Sequence, residues 1–477
     1  MLEEDGHVMV LSTPEQQMLH MNLYNHEEHL MLDDTVARLE EAVDLIMANL
    51  VGVDVDWSLE EAIQSISLPS NDINWSTHPG PELRARGYRT KGDAWPHVVN
   101  EVVQRADDLR NDHRQPFLSA SGGRAKLTTL DKYEQKMGQG EPVGRFIRMV
   151  DLRDVALCTT VKKALESQND WSSFGTALGE SYFHNGGRKY ADFFGYISDP
   201  DRWGCGLDLK KCDAFFPQLL SNMIFDRLFG AFDDNQLPYH LREYIKEVHC
   251  HGQVVGSDRN VYSLDHGLCS GAPFTSLVES LGVQALTMVA ISRHEGTDVS
   301  TVFRELKIKT LGDDQWFTYP RPIGRAHLGP LYLSLFGLEI GETPEGYGLE
   351  AYEFLGKKLD FHFRPYRESD TTFYQLRFPE RPVDSASQSL ARAVGHLVDN
   401  FNNDNVRYAV RQYIALLQSF YPGLTYTATD LRPYLREDGM YQLFQTEVSM
   451  NFTSVPSDAE ISSLYFSSLT VNSIFSL

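Results

Sequence analysis

A chain of 477 residues is long enough for several subdomains around a large core. Its net charge of −23, from 43 basic and 66 acidic residues, argues against non-specific binding along duplex nucleic acid, which needs a basic surface, but leaves room for an enclosed channel with a local basic lining. Five cysteines (Cys158, Cys205, Cys212, Cys250, Cys269), odd in number and without C-x-x-C spacing, argue against a disulfide framework or a zinc site. The first residues, Met1 to Asp5, are acidic where a secretory signal is basic, and no apolar run of spanning length stands out, so no membrane partner is expected.

From the N-terminus, Val36, Leu39, Val43, Ile46 and Leu50 recur at helical spacing, with Asp33-Asp34-Thr35 to cap the start. Residues 71–92 change character: a Pro/Gly turn cluster from Asn71 to Pro81 precedes Arg84, Arg86, Arg89 and Lys91. This reads either as a solvated loop or as a rigid turn whose cations grip a phosphodiester backbone. A second basic region holds Gly122-Gly123-Arg124-Ala125-Lys126 and then Arg145-Phe146-Ile147-Arg148. The two arginines interleave with apolar residues, as if the segment were anchored while its guanidiniums point into a cavity and offer phosphate a fixed fork of donors.

Residues 204–232 read as strand, turn and helix, with Asp208 at the strand end, Asp213 just past it, and Pro217 in the first turn of the helix. A buried carboxylate at a strand end needs a reason, and a metal ion is one. His249-Cys250-His251 looks metal-like, but adjacent residues of a strand face opposite ways. At Gly267 to Ser280 a Ser-Gly turn leads into a helix on which Thr275 and Glu279, four apart, share a face, either as part of a capped core helix or to hold a sugar or phosphate. Leu306, Ile308 and Thr310 then alternate with Lys307 and Lys309, and Gln315 to Tyr319 is rich in strand formers. The Gly312-Asp313 turn between them predicts a hairpin with two adjacent carboxylates at its tip, a costly pair unless cations neutralise it. Alone, this is also an ordinary polar turn. Phe354-Leu355-Gly356 is a short apolar turn, Ser385 to Phe420 is helical, and residues 451–477 form a Ser-rich tail, loosely held or docked elsewhere.

In this order the segments resemble the motifs of viral RNA-dependent RNA polymerases, most closely those of partitiviruses, whose genomes are segmented double-stranded RNA. Asp208 to Pro217, with Lys211, resembles the family's first palm motif. Gly267 to Ser280 resembles the second, with Ser270, Gly271, Phe274, Thr275 and Ser280 in place, and Leu311 to Asp314 the third. Thr77 to Pro81 with Gly87, Tyr88 and Lys91 resembles the motif at the template channel, and Arg145 and Arg148 resemble the arginines of the nucleotide channel. Two departures stand out. Glu279 occupies a position where related positive-strand enzymes carry Asn and partitiviruses usually Asp, and Gly341 to Pro344 offers no lysine as a proton donor, so no general acid is assigned.

The resemblance implies an α+β fold shaped as a right hand, its antiparallel palm sheet flanked by helices. The boundaries drawn are 1–200 for the N-terminal region and fingers, 201–232 for the palm around the first motif and 233–262 for a fingers insertion. The rest of the palm, with the hairpin, is 263–360, and 361–477 is a helical thumb and tail. The implied activity is RNA-directed RNA polymerisation with two Mg²⁺ ions roughly 3.5–4 Å apart, Mn²⁺ being able to substitute. Asp208 and Asp313, supported by Asp314, would be the catalytic residues and metal ligands. Arg145, Arg148, Asp213, Ser270, Gly271, Thr275 and Glu279 would bind the nucleotide; Thr77, Gly80, Pro81, Arg84, Arg86, Lys91, Arg124 and Lys126 would bind RNA. The implied partners are viral RNA template and product, ribonucleoside triphosphates and the viral capsid protein, in the virion interior or host cytoplasm. Two other readings stand beside this one. A reverse transcriptase would need a bulky side chain where this chain has Asp213, and a decayed, non-catalytic RNA-packaging protein would not need intact Asp208, Asp313 and Asp314.

Overall fold

Period-two segments assemble into sheets in the computed structural model, which describes residues 2–4, 6–66, 68, 73–113, 118–379, 383–427, 430–431 and 454–466. β1 (Leu2–Glu4) and β2 (His7–Val10) pair antiparallel. β3 (Leu118–Arg124) carries the Gly122-Gly123 pair, β4 (Lys126–Thr129) returns to pair with β2, and β5 (Arg145–Met149) lies antiparallel to β3. β6 (Trp203–Leu207) follows. β7 (Gly252–Val255) runs parallel to β3, and β8 (Val261–Leu264) antiparallel to β7. The segment 233–262 therefore joins the sheet of the N-terminal half, in the order β5-β3-β7-β8. β9 (Lys307–Leu311) and β10 (Asp314–Tyr319) form the predicted hairpin, and β11 (Glu345–Tyr347) completes a central antiparallel sheet of order β11-β6-β10-β9.

The predicted N-terminal helix is α1 (Asp33–Ile46). Its N-cap is Leu32, without a side-chain cap bond, so Asp33 and Asp34 lie in the first turn, where their charge suits the helix dipole. The basic stretch after the Pro/Gly cluster is not a loop. Pro81–Ala85 is a short helix, and Lys91 opens α2 (Lys91–Arg110), started by a reciprocal Thr90–Asp93 capping box. Asn71 and Asp72, at the head of that cluster, lie outside the described residues. The His249-Cys250 pair ends another helix, α3 (Tyr239–Cys250), instead of lying on a strand.

Behind the central sheet runs α4 (Thr275–Glu295), which packs against α1 in the main core. By length and composition it could cross a membrane, contrary to the expectation that no such stretch exists; 94% of its apolar window is buried within the fold. Its polar residues are bonded to the hairpin. Gly312 N–H donates to Ser280 Oγ at 2.7 Å, Gln284 Nε2 donates to Thr310 Oγ1 at 3.0 Å, and Thr287 Oγ1 donates to Gln315 Oε1 at 2.7 Å. Buried polar groups without such partners would each cost about 1–3 kcal/mol, so this stripe fixes the hairpin's register on the helix.

The stretch from Ala177 to Tyr196 packs its aromatic side chains on Trp316 and Tyr352. Gly204 makes that packing possible: a Cβ there would lie 2.2 Å from the Tyr196 hydroxyl and 2.4 Å from the Trp316 ring. The end of the region drawn at 1–200 thus belongs physically to the central sheet, because its rings fill the sheet's aromatic core. A separate apolar core holds the C-terminal helices α5 (Ala386–Asp399), α6 (Asp404–Phe420) and α7 (Asp458–Phe466). Part of the Ser-rich tail docks here, through buried Ile461, Leu464 and Tyr465; residues 451–453 and 467–477 lie outside the described residues.

Candidate active site

The register of the central sheet brings the carboxylates together. Gln315 pairs with Leu207, so one step on, Asp314 lies across from Asp208, with Asp313 at the adjoining tip. Asp208 is exposed just beyond β6, its carbonyl accepting the Gly341 N–H at 2.7 Å. Asp313 opens to solvent at the tip, yet the protein around it, and next the charge of Asp208, push its carboxyl upward; Arg145 and Lys126 pull it back down. Burial, then Asp313, pushes Asp314 up to about 7, against the Leu355 N–H that donates to its Oδ2 at 3.1 Å.

Carboxylates held in mutual repulsion suit a divalent cation, which relieves the repulsion that raises the proton affinity of Asp313 and Asp314. Asp208, Asp313 and Asp314 are the residues that would hold it. Among the described residues, no three His, Cys, Asp or Glu side chains already stand together as a ligand cage, so here the carboxylates meet as interacting charges. His249-Cys250-His251 is no metal site either. His249 is wholly buried and neutral, burial lowering its pKa to about 4; one ring nitrogen bonds the Ile245 carbonyl and the other accepts the Phe274 N–H.

Opposite the carboxylates stand cations. Arg124 pairs with Arg145 across β3 and β5, which puts the two side chains on one face. Lys126 is felt by Asp313, and its own pKa is lowered, by burial first and then by Arg145 and Lys136, while Asp208 and Asp313 raise it. Arg148 does not join them. It is three positions from Arg145 on the same strand, so it faces the other way. It is 3% exposed, and its guanidinium donates to Ser119 Oγ at 3.2 Å and to the His251 carbonyl at 2.9 Å. The expectation that both arginines point into one cavity is corrected accordingly.

Asp213, on the short helix Cys212–Phe215, lies beside Ser270 and Glu279. Burial, then Asp313, raises Asp213 to about 6. Burial, then Asp213 and Asp313, push Glu279 well above the ordinary carboxylate range, which favours a proton shared between it and Asp213. Glu279 Oε1 is buried without a partner among the described residues. Thr275 turns away: its hydroxyl donates to the Cys269 carbonyl at 2.5 Å and closes the loop before α4. Gly271, at φ +114°, lies against the Arg148 carbonyl, where a Cβ would come within 2.7 Å; Ser270's own carbonyl accepts the Arg148 N–H.

The first basic region is more neutralised than its sequence suggests. Arg86 lies between Glu82 and Glu101, at 2.8 and 2.7 Å, so its charge is shared with two carboxylates. Arg153 also holds Glu82, lowering that carboxyl to about 2. Thr77 donates to the Asn74 carbonyl and accepts from Lys91 Nζ at 3.0 Å, so both stiffen the turn. Gly80 and Pro81 open the short helix beside Asp151, and Arg84 is exposed.

The family described as viral RNA-dependent RNA polymerase matches residues 12–414. No curated protein matches the chain. Among solved structures, the Sicinivirus 3Dpol RNA-dependent RNA polymerase is similar over 93% of this chain and 92% of that one, with a TM-score of 0.65 at 14% identity, a likeness of fold. The carboxylate hairpin on an antiparallel sheet, the family match and the shared right-hand fold agree, and the chain belongs to the viral RNA-dependent RNA polymerases, which are nucleotidyltransferases.

Proposed function

We propose that this polymerase replicates and transcribes a segmented double-stranded RNA genome of the partitivirus kind, by nucleotidyl transfer with two magnesium ions for which manganese can substitute. The observation that carries the reading of the site is the sheet register that sets Asp314 across from Asp208 with Asp313 at the adjoining tip, where Asp313 feels the charges of Arg145 and Lys126. Metal ions, when held by Asp208 and Asp313 with Asp314 in support, supply charge stabilisation to the attacking and leaving oxygens. Arg145 and Lys126 bind and orient the triphosphate opposite them, where negative charge builds as the α-phosphate is attacked by a 3′-hydroxyl. Asp213, aided by Glu279, accepts a hydrogen bond from the ribose 2′-hydroxyl.

The sheet β5-β3-β7-β8 serves as fingers, the sheet β11-β6-β10-β9 as palm, and the module from about residue 361 as thumb. The motif order from Thr77 through Asp208, Ser270 and Asp313 supports the partitivirus reading, and with it a capsid-protein partner and a place in the virion interior or host cytoplasm. Purified protein, RNA, ribonucleotides and magnesium should yield full-length labelled product that chelator abolishes. Synthesis undiminished by chelator would remove the metal from the reading.

The division of the arginines gives a second test. Arg145→Ala should lower nucleotide kcat/KM about 100-fold with little change in melting temperature. Arg148→Ala should instead cost about 2–4 kcal/mol of stability, because it strips buried partners of their charge-assisted bonds. A stable Arg148→Ala enzyme with a raised nucleotide KM would return Arg148 to the nucleotide site.

A further inference from the structure

A buried ion cluster ties the C-terminal helical module to the turn that touches Asp314. Phe354 and Lys357 bridge a tight two-residue turn in which Leu355 (φ 54°) and Gly356 (φ 64°) are both left-handed. A leucine in that region is held there by its surroundings. Its N–H donates to Asp314. Two residues on, Lys357 is 3% exposed, and its ammonium lies 2.5 Å from Asp399 Oδ1 and also bonds the Asp399 carbonyl. Asp399, 1% exposed at the end of α5, takes Arg367 on its other oxygen at 2.7 Å. The Tyr465 hydroxyl, from α7, donates to the Val398 carbonyl at 2.8 Å. The last carbonyls of α7, from Leu464 and Tyr465, in turn accept the N–H groups of His184 and Asn185. The Asp399 carboxylate thus joins α5 to Lys357 of the turn beside Asp314 and to Arg367, while the backbone at the end of α5 holds α7 through Tyr465.

We propose that Asp399 is a positioning residue. With Lys357 and Arg367 it sets the angle of the C-terminal helical module against the Leu355 turn, and so governs how long the enzyme retains its RNA duplex during elongation. Removing one partner of a buried ion cluster leaves the others charged and unpaired, so the joint loosens where the helices meet the sheet. Asp399 and Tyr465 bond groups of this joint, away from the tip of the carboxylate hairpin, so the chemical step should be spared. The inference rests on the polymerase reading of the site.

The test compares wild type with Asp399→Asn, Lys357→Met and Tyr465→Phe on a primed RNA, stalled after a few additions. Measured are the lifetime of the stalled complex against a trap and the single-turnover rate of the next addition. Expected are lifetimes shortened about ten-fold in Asp399→Asn and Lys357→Met and a few-fold in Tyr465→Phe, with addition rates within about two-fold of wild type. Unchanged lifetimes in folded variants, or lifetime and addition rate falling in parallel, overturn the proposal. If Asp399→Asn and Lys357→Met do not fold, Tyr465→Phe, which loses a single hydroxyl, decides: an unchanged lifetime overturns it. A wild type that adds no nucleotide refutes the polymerase reading itself, whereas an active wild type with unaltered variants refutes this proposal alone.

Discussion

Asp313→Asn is expected to lower nucleotide addition by about 10³-fold while the metal-free protein melts no lower than wild type, and Asp208→Asn to lose activity likewise. Asp313 carries a raised affinity for protons because of burial and Asp208. A carboxyl raised in the folded state contributes full stability below its unfolded value. That contribution is lost as pH rises toward the folded value, since the unfolded chain ionises first. For Asp314 the window runs from the ordinary carboxylate range to about 7. The amide in Asp313→Asn removes a penalty of the same sign, so its melting temperature relative to wild type should improve from pH 4 to pH 8 without metal. Added magnesium should then raise the melting temperature of wild type more than that of the variant. Near-normal synthesis by either variant would take that residue out of the catalytic core.

Asp213→Ala is expected to narrow the preference for ribonucleotides over deoxyribonucleotides by roughly 30-fold, through loss of activity on the ribose substrate. A site built to bond a hydroxyl rejects the analogue lacking it, because its own buried groups are left unpaired. Asp213 is enclosed by Ser270 and Glu279, and the unpartnered Glu279 Oε1 marks further bonding capacity there. Glu279→Gln should shift the preference only a few-fold, because burial and the neighbouring carboxylates raise the proton affinity of Glu279 and the amide keeps a donor and an acceptor. The ratio of catalytic efficiencies for a matched ribo/deoxy pair decides the matter. If both efficiencies fell together in Asp213→Ala, the residue would serve metal or structure and not the sugar.

What the sequence made legible follows from short-range chemistry. The β9–β10 hairpin is written in alternation and in Gly312-Asp313, and Asp208 was readable at a strand end for the same reason. The opposed faces of Arg145 and Arg148 were also implicit in strand alternation, but charge outweighed spacing in reading them. The helix Lys91–Arg110 was hidden by the preceding cluster of cations and by Pro96 within it. Lys309 alternates with the apolar residues of its strand, and nothing local marks it as buried. It is 4% exposed, its ammonium enclosed by Glu180 at 2.6 Å and two carbonyls. Lys126 read as an RNA contact, and only the pairing of β4 with β2 and of β3 with β5 brings it within reach of Asp313's charge. Such placements depend on partners more than a hundred residues away, which no local pattern encodes.

The apolar helix Thr275–Glu295 also bears on how the chain comes to be folded. It packs on α1, made long before it, and on β9 and the helix Arg325–Phe336, made after it. On a translating ribosome it therefore emerges with only part of its cover available, and its polar stripe of Ser280, Gln284 and Thr287 waits for the hairpin residues that bond it. A greasy 21-residue helix in that state is a substrate for chaperones and a nucleus for aggregation. Its exposure lasts until β9 and the helix Arg325–Phe336 have also emerged and can pack on it, and slow expression at low temperature with ample chaperone should favour the native product.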